Sequence, residues 1–299
     1  MNKQYLLTGG EGFLGRALKN YLVKNKNSAK TLDIAGNPDY RISITDYNGL
    51  MNINEEFDGI FHFAATTSPP QFDEDPLTGF RVNANGTLNI LEFAKQRNIP
   101  RVVLASSSAT YGSSTSVSIE NDLPDRYANL YPVTKILDEY LARFYSIRNE
   151  VECISLRYFN TYGPGENSKS QYASVIWRFI KSFHKNERPV IYGDGEQRRD
   201  FIFVDDNARG TYLAMEKGIP GESYNIGSGK SNTFTRIYQI VKDEMNSELE
   251  AEYIKNPFKS YQYFTQADMS KSKKDIGFVP EFDVRAGVRK MLDYGAEYI

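Results

Sequence analysis

Short apolar runs and helix-spaced apolar residues alternate through the first half of the chain. The runs predict strands at Tyr5–Thr8, Thr31–Ile34, Gly59–Ala65, Arg101–Ala105 and Val151–Phe159. Between them, apolar residues recur every three or four positions, which is the period of one helix face. Helices are therefore predicted at about Leu14–Leu22, Leu77–Lys95 and Val133–Phe144. Because the run at Gly59–Ala65 shows no alternation, we expect its strand to be covered on both faces.

Strand–helix units repeated in this way predict an α/β fold built on a doubly wound parallel sheet. After about residue 163 the pattern changes, because prolines, glycines and charged residues divide the chain into shorter pieces. Two isolated strands and two helices are predicted there, at Phe201–Val204, Ser223–Ile226, Ile237–Met245 and Val284–Tyr294. We expect a first domain over residues 1–163, to which residues of about 196–215 return, and a smaller, interleaved C-terminal lobe over residues 164–299.

Composition and charge narrow the class of protein. The 299 residues include 40% hydrophobic and 25% charged side chains, as in soluble globular proteins. The 36 basic and 38 acidic residues leave a net charge of −2, which argues against a general nucleic-acid-binding protein. No apolar run approaches the ~18 residues of a membrane span, and the N-terminus lacks the pattern of a secretory signal. We therefore expect a cytoplasmic protein without nucleic-acid or membrane partners.

The residues that hold metals or form disulfides are scarce. Cys153 is the one cysteine, so an intrachain disulfide is excluded. With only two histidines besides, the chain has no pattern typical of a zinc site, and no metal is expected.

A glycine cluster lies between the first predicted strand and the first predicted helix. Gly9, Gly12 and Gly15 recur every third residue, which allows a tight turn and a close approach of the backbone to a pyrophosphate. The N-terminus of the helix adds free N–H groups and a partial positive charge. Asp33 ends the second predicted strand, where a carboxylate binds a ribose diol and repels a 2′-phosphate. The sequence therefore predicts NAD, with NADP less favoured although Arg41 is near.

A second candidate site combines Tyr131, Lys135 and Ser107. The tyrosine and lysine are four residues apart on a predicted helix, so they share one face. A nearby ammonium and a nicotinamide cation would lower the pKa of a phenol from its reference near ~10. The phenolate could then take a proton from a substrate hydroxyl while a hydride leaves for the nicotinamide. Ser107 follows the strand Arg101–Ala105 and could hydrogen-bond the same hydroxyl.

Together, these residues and their surroundings resemble the extended short-chain dehydrogenase/reductase family, in its nucleotide-sugar epimerase and dehydratase branch. The segments that carry the resemblance are TGGEGFLG from Thr8, HFAA from His62, VNANGTLNILE from Val82, ASSSATYG from Ala105, YPVTK from Tyr131, RYFNTYGP from Arg157 and RRDFIFVDD from Arg198. The resemblance covers essentially the whole chain. It implies a Rossmann-like domain, a nucleotide-diphosphate sugar as substrate, and a homodimer through the helices near Leu77–Lys95 and Val133–Phe144.

The resemblance also assigns roles to residues. It implies catalysis by Ser107, Tyr131 and Lys135. The cofactor contacts that it implies are Gly9, Gly12, Phe13, Leu14, Gly15, Asp33, Ile34, Ile44, Ala64, Ala65, Asn83, Tyr131, Lys135 and Tyr158. The substrate contacts that it implies are Ser107, Ser108, Asn160, Tyr192, Arg199 and Lys259. Lys259 stands in a region where many sugar-nucleotide epimerases carry a second arginine for the diphosphate.

The positions after Ser107 distinguish the reactions of this branch. The resembling 4,6-dehydratases carry an aspartate and a glutamate there, and related decarboxylases carry a glutamate, whereas this chain has Ser108 and Ala109. Neither side chain supplies the extra acid and base that water elimination needs. The primary prediction is therefore an NAD-dependent epimerase that forms a transient keto-sugar, most simply at C4 of a nucleotide hexose.

Two alternatives remain open. The stretch from Gly163 to Lys169 and the later YQYFTQAD from Tyr261 resemble the ADP-glycero-manno-heptose 6-epimerases. In those enzymes a lysine acts as a second acid or base on the opposite face of the sugar, and Lys169 matches it. A heptose epimerase, or a net dehydrogenase or reductase of an unusual nucleotide sugar, is therefore a second interpretation. A dinucleotide sensor without catalysis is disfavoured, because such proteins usually lose the tyrosine or the lysine.

Overall fold

The structure is a computed structural model that describes residues 2–67, 69–124, 127, 129–167, 169, 173–256 and 262–295. Its strands are β1 (Gln4–Thr8), β2 (Ser28–Leu32), β3 (Gly59–His62), β4 (Arg101–Ser107), β5 (Glu152–Tyr158), β6 (Asn160–Tyr162), β7 (Val190–Tyr192), β8 (Arg198–Phe203), β9 (Ser223–Ile226), β10 (Ser231–Thr233) and β11 (Glu252–Ile254). Its α-helices are α1 (Phe13–Lys24), α2 (Tyr47–Met51), α3 (Pro69–Glu74), α4 (Pro76–Phe80), α5 (Gly86–Gln96), α6 (Leu130–Ile147), α7 (Val175–His184), α8 (Val204–Lys217), α9 (Phe234–Glu244) and α10 (Val284–Asp293).

Six strands form the main sheet in the order β2-β1-β3-β4-β5-β9, and every pair in it is parallel. From β1 the chain first moves outward to β2 and then crosses to β3 on the other side, so the strand order reverses at β1. Ligands of open parallel sheets bind at the carboxyl ends of the strands beside such a reversal. The predicted doubly wound parallel α/β fold is confirmed.

Apolar layers cover both faces of this sheet, because successive side chains of a strand point to opposite sides. Tyr5 and Leu7 of β1 lie in a core with α1 and α8. Leu6, between them, lies in a second core with α5 and α6. All three side chains are almost fully buried. The rigid sheet thus holds the loops at its carboxyl edge in place.

The two C-terminal strands that were expected to stand alone are each paired, so that expectation is wrong. Ser223–Ile226 is β9, which pairs with β5 and completes the main sheet. The run Phe201–Val204 belongs to β8, which lies between β6 and β10 in a three-stranded sheet. A four-residue apolar run does not encode its distant pairing partner, which explains the error. The domain limits given above stay predictions.

The smaller lobe has its own apolar core. Side chains of α7, α9 and α10 pack there against β8, with Trp177, Phe179, Phe203, Ile237 and Met291 among its buried residues. Strands β7 and β11 form a parallel pair beside it. Among the described residues, none forms a helix long and apolar enough to cross a membrane.

The helix predicted over Leu77–Lys95 is interrupted in the structure. It is divided into α4, a π-helical turn at Arg81–Asn85, and α5. Where α5 begins, a Cβ on Gly86 would lie 2.4 Å from Cδ1 of Ile44, so glycine allows the close approach of the two segments. An apolar period of 3.6 residues does not reveal one wider turn.

Candidate functional site

The glycine-rich turn holds β1, α1 and the segment after β3 close together. Gly9 has a φ of +66°, and a Cβ on it would lie 2.7 Å from the backbone N of Ala64. A Cβ on Gly15 would lie 2.4 Å from the carbonyl oxygen of Gly9. Among the described residues, no side chain caps the first amides of α1, which begins after Gly12. Those amides can therefore bind an anion such as a pyrophosphate.

Asp33 stands one residue after β2 and is fixed beside this turn. Its carboxylate accepts hydrogen bonds from the backbone N of Glu11 at 3.0 Å and of Ile34 at 2.8 Å. The guanidinium of Arg41 donates to the carbonyl oxygens of Ile34 at 3.0 Å and Gly36 at 2.5 Å. Backbone amides thus fix the carboxylate beside the glycine turn, while the nearby arginine is engaged with backbone carbonyls.

One cleft of about 620 Å³ contains both predicted sites. It is lined by the glycine turn and Asp33, and also by Ser107, Tyr131 and Lys135. The three side chains come from the end of β4 and the first turns of α6. The structure therefore brings the predicted catalytic residues into the same cleft as the predicted cofactor residues.

Local contacts position Tyr131 and Ser107. The side chain of Asn129 caps α6 by accepting a hydrogen bond from the backbone N of Tyr131 at 3.1 Å. Tyr131 is 8% exposed, and its ring packs against Phe72 with centroids 5.8 Å apart. Ser107 accepts from the backbone N of Ala109 at 3.1 Å, at the start of a 3₁₀ turn.

A layer of buried polar groups lies behind the cleft. Lys135 Nζ donates to Oδ2 of Asp138 at 3.2 Å, and burial raises the pKa of that carboxyl to about 6 against the opposing effect of the ammonium. His62 lies between two hydroxyls, with Nδ1 2.6 Å from Thr8 Oγ1 and Nε2 3.1 Å from Thr87 Oγ1. Burial, and then the charge of Lys135, lower the pKa of His62 to about 3. The imidazole is therefore neutral at physiological pH.

A second cavity, of about 310 Å³, adjoins the cleft and shares Thr161 and Lys169 with it. Three predicted substrate residues, Asn160, Tyr192 and Arg199, line this second cavity. Arg178, which was not predicted from the sequence, also lines this cavity, and its guanidinium lies 5.6 Å above the ring of Tyr192. Its signal was a cation within the apolar run Val175–Ile180 at the start of α7. Two arginines give the cavity a positive charge suited to a diphosphate.

Lys169 lies where the two cavities meet. Its Nζ donates to Oε1 of Glu166 at 3.1 Å and to the carbonyl oxygen of Thr161 at 3.2 Å. The same ammonium lies 4.1 Å from the centre of the Phe13 ring. Glu166 is fully buried and also accepts from the backbone N and the hydroxyl of Ser174. A cation is thus held at the junction, next to the cleft.

The remaining predicted residues fall into two groups. The cleft is also lined by Gly12, Phe13, Leu14, Ala65 and Tyr158. Outside its lining lie Ile34, Ile44, Ala64, Asn83 and Ser108. Asn83 is 1% exposed, and its side chain hydrogen-bonds the backbone of Thr66 and the hydroxyl of Thr134. It therefore links the segment after β3 to α6 inside the protein. Lys259 lies outside the described residues.

Residues 5–227 match a family model described as the NAD dependent epimerase/dehydratase family. The chain belongs to this family. NAD is accordingly its cofactor, and the chain fits that cofactor through the crowded glycine turn, the uncapped amides of α1 and the oriented carboxylate of Asp33.

Named relatives of the family are similar over nearly their full lengths. The UDP-glucuronate 4-epimerase of Thermodesulfobacterium geofontis is 30% identical, over 99% of this chain and 97% of that protein. The structure of a UDP-glucose 4-epimerase from Thermotoga maritima with UDP-glucose matches with a TM-score of 0.90 and 27% identity, over 97% of this chain and 98% of that one. A UDP-N-acetylglucosamine 4-epimerase from Methanobrevibacter ruminantium, in complex with UDP-N-acetylmuramic acid, matches with a TM-score of 0.89 and 28% identity, over 98% and 99%.

Proposed function

We propose that the chain is a nucleotide-sugar epimerase that works through a transient keto-sugar and inverts C4 of a UDP-linked hexose. The observation that carries the proposal is the junction of two cavities at Thr161 and Lys169. One cavity holds two arginines for a diphosphate, and the other holds Tyr131 beside the cofactor turn. A nucleotide sugar can span both, with its sugar at the phenol. The similarity to three 4-epimerases supports C4 as the reacting carbon.

The chain's residues divide the chemistry among them. Tyr131 takes the proton of the C4 hydroxyl, Ser107 hydrogen-bonds the same oxygen, and the Lys135 ammonium stabilises the phenolate. NAD, when bound, supplies the hydride acceptor and, once reduced, the hydride donor. The flat ketone turns over in the cleft and is reduced on its other face, while Tyr131 returns the proton to the oxygen. The reaction has no net redox change, so the cofactor is recycled without leaving.

The acids in the cleft also favour epimerisation over elimination. Among the described residues that line the cleft, the carboxylates are Glu11 and Asp33, which belong to the cofactor turn. The positions that follow Ser107 are Ser108 and Ala109, which supply no acid or base for the loss of water.

The test is a substrate screen of the purified holoenzyme. UDP-glucose, UDP-galactose, UDP-glucuronate and UDP-N-acetylglucosamine are incubated separately, and proton NMR follows the coupling constants at C4. We expect interconversion of one C4 pair without added NAD. Absence of turnover for all UDP-sugars, with turnover of an ADP- or GDP-linked sugar, would refute the proposed nucleotide. A Tyr131→Phe enzyme with normal turnover would refute the mechanism.

A second candidate function, epimerisation at C6 of a heptose nucleotide, is favoured by the position of Lys169 at the cavity junction. Its ammonium could serve as an acid on the sugar face opposite Tyr131. Lys169→Met in the presence of ADP-glycero-manno-heptose tests this role, with Lys230→Met, on the surface loop before β10, as control. Normal turnover of the Lys169 variant would remove this lysine from the mechanism. Accumulation of NADH with a sugar would instead indicate the net dehydrogenase.

We further propose a homodimer through α5 and α6. Tyr140, Phe144 and Ile147 form one face of α6 and are 63%, 53% and 73% exposed, and Leu88 of α5 is 40% exposed. Such a contiguous apolar face is typical of an interface. Light scattering should give twice the chain mass, and Tyr140→Glu combined with Phe144→Glu should yield monomers. The control is Tyr253→Glu on β11, whose tyrosine is 50% exposed.

We also propose that the enzyme works in the cytoplasm and that its product supplies polysaccharide synthesis. Fractionation of cells with an antibody against the chain tests the location, and enzyme recovered with membranes would contradict it.

A further inference from the structure

A buried carboxylate lies beside the catalytic lysine and has no part in the mechanism above. Asp138 is one helical turn after Lys135 on α6, and its Oδ2 accepts a hydrogen bond from Lys135 Nζ at 3.2 Å. The side chains of this pair are 6% and 3% exposed. Asp138 does not line the cleft, whereas Lys135, to which it is bound, does.

The surroundings of Asp138 contain few other charges. Among the described residues, the titratable groups that face it are Lys135 and Glu139 on its own helix, and His62 of β3 by way of the Thr87 hydroxyl. Glu139 is bound to Arg157 of β5. His62 is neutral, because burial lowers its pKa. The field at the lysine is therefore determined chiefly by the single carboxylate 3.2 Å away.

Stability alone does not explain this pair. The desolvation of two buried charges cancels most of their attraction, so a buried ion pair adds little to the free energy of unfolding. The carboxyl shows the penalty, because burial raises its pKa to about 6. The pair does change the charge at the cleft. With Asp138 bound, the Lys135 ammonium and the carboxylate together carry almost no net charge, whereas Lys135 alone would carry a full positive charge.

We propose that Asp138 is a positioning residue which, by binding the Lys135 ammonium, raises the pH at which Tyr131 gives up its proton. The proposal rests on the function proposed above for the role of Tyr131. The Asp138 carboxylate, 3.2 Å from the Lys135 ammonium, offsets the positive charge that would otherwise stabilise the phenolate. Tyr131, the general base, therefore keeps its proton to a higher pH than it would beside a Lys135 that had no bound carboxylate.

The test is a titration of the Tyr131 phenol that needs no substrate. The near-ultraviolet absorbance of tyrosinate is followed against pH in the NAD-bound holoenzyme, with and without Asp138→Asn. Since the chain has 21 tyrosines, the curve of the same protein carrying Tyr131→Phe is subtracted from each curve, which leaves the signal of Tyr131. We expect the Tyr131 signal to move down by about one pH unit in Asp138→Asn. An unchanged or higher midpoint would overturn the proposal.

Two further variants separate charge from structure. Asp138→Glu keeps the charge, so its Tyr131 titration should have the wild-type midpoint even if its melting temperature falls. A midpoint shifted as far as in Asp138→Asn would contradict the proposal. The matched control is Asp206→Asn, a 1% exposed carboxylate that also pairs three residues along its helix, with Arg209, outside the cleft. It should lose stability and leave the Tyr131 signal in place.

Turnover gives an independent measurement. With a sugar that the screen shows to be converted, the acidic limb of kcat/KM against pH should move down by the same amount in Asp138→Asn. A kcat/KM that falls equally at all pH values would reduce Asp138 to a structural role. If no sugar nucleotide is converted, the proposed function fails, while the phenol titration still decides the role of Asp138.

Discussion

The guanidinium of Arg157 meets the carboxylate of Glu139 through two hydrogen bonds, Nε to Oε1 at 2.8 Å and Nη2 to Oε2 at 2.6 Å. The arginine belongs to β5 and the glutamate to α6, the helix that carries Tyr131 and Lys135. Their side chains are 3% and 9% exposed. The ion pair therefore ties the catalytic helix to the sheet.

Removing one member of this pair should be costly. In Glu139→Ala, the buried Arg157 loses its countercharge, and we expect the free energy of unfolding to fall by about 3–5 kcal/mol. Urea denaturation measures the change. The control is Arg289→Ala, whose arginine is 63% exposed in its pair with Glu244 and should cost about 0–1 kcal/mol. Equal costs for the two variants would contradict the structural role of the buried pair.

Tyr131→Phe should separate chemistry from binding. The variant lacks only the hydroxyl that moves the proton, so kcat should fall by about 10²–10⁴-fold. The ring still packs on Phe72, so the melting temperature and the affinity for NAD should change little. Calorimetry with NAD and a turnover assay provide the two measurements. A large loss of NAD affinity would show that the hydroxyl serves the cofactor instead.

Asp33 should determine the choice between the two dinucleotides. In Asp33→Asn the charge that repels a 2′-phosphate is removed. The dissociation constant for NADP divided by that for NAD should therefore fall by about tenfold or more. Titration calorimetry measures both constants. Because Arg41 is engaged with backbone carbonyls, Arg41→Ala should leave the ratio nearly unchanged in the wild-type background. A ratio that depends on Arg41 more than on Asp33 would reverse this assignment.

Arg178 should contribute to binding of the diphosphate. Replacing it with methionine removes one of the two arginines from the second cavity, which Lys169 also lines, and we expect the dissociation constant for UDP to rise by about tenfold. Lys181→Met, on the same helix but outside that cavity, is the matched control. Fluorescence or calorimetric titration with UDP measures both. Identical affinities in the two variants would exclude Arg178 from the diphosphate site.

His62 makes the stability depend on pH. Its pKa lies near 3 in the native protein and at its ordinary value of 6.5 in the unfolded chain. Between these values the unfolded chain binds a proton that the native state does not, so stability falls as the pH is lowered. The loss through His62 is about 1.4 kcal/mol per pH unit below 6.5.

Urea denaturation at several pH values checks this slope. His62→Gln should be less stable at neutral pH but should lose less stability on acidification than the wild type. A variant that retains the full wild-type slope would exclude His62 as its source.

Local signals made part of the site predictable. The Gly9, Gly12 and Gly15 spacing lies within one strand–turn–helix unit, and Tyr131 and Lys135 share one helix face, so short-range geometry fixes each group. The pairing of β9 with β5 and the π-helical turn at Arg81–Asn85 depend on distant packing, and neither was found. Asp138 was missed for a related reason: its carboxylate becomes significant only because the folded chain buries it beside Lys135.

The place of β9 in the sheet bears on how the protein is made. A ribosome must synthesise most of the chain before residues 223–226 can cover the open edge of β5. Until then the nascent sheet exposes an unpaired strand border, which invites association with other unfinished chains. A fragment that stops at residue 163 would keep that border permanently, so we expect it to aggregate instead of yielding a separable cofactor-binding unit.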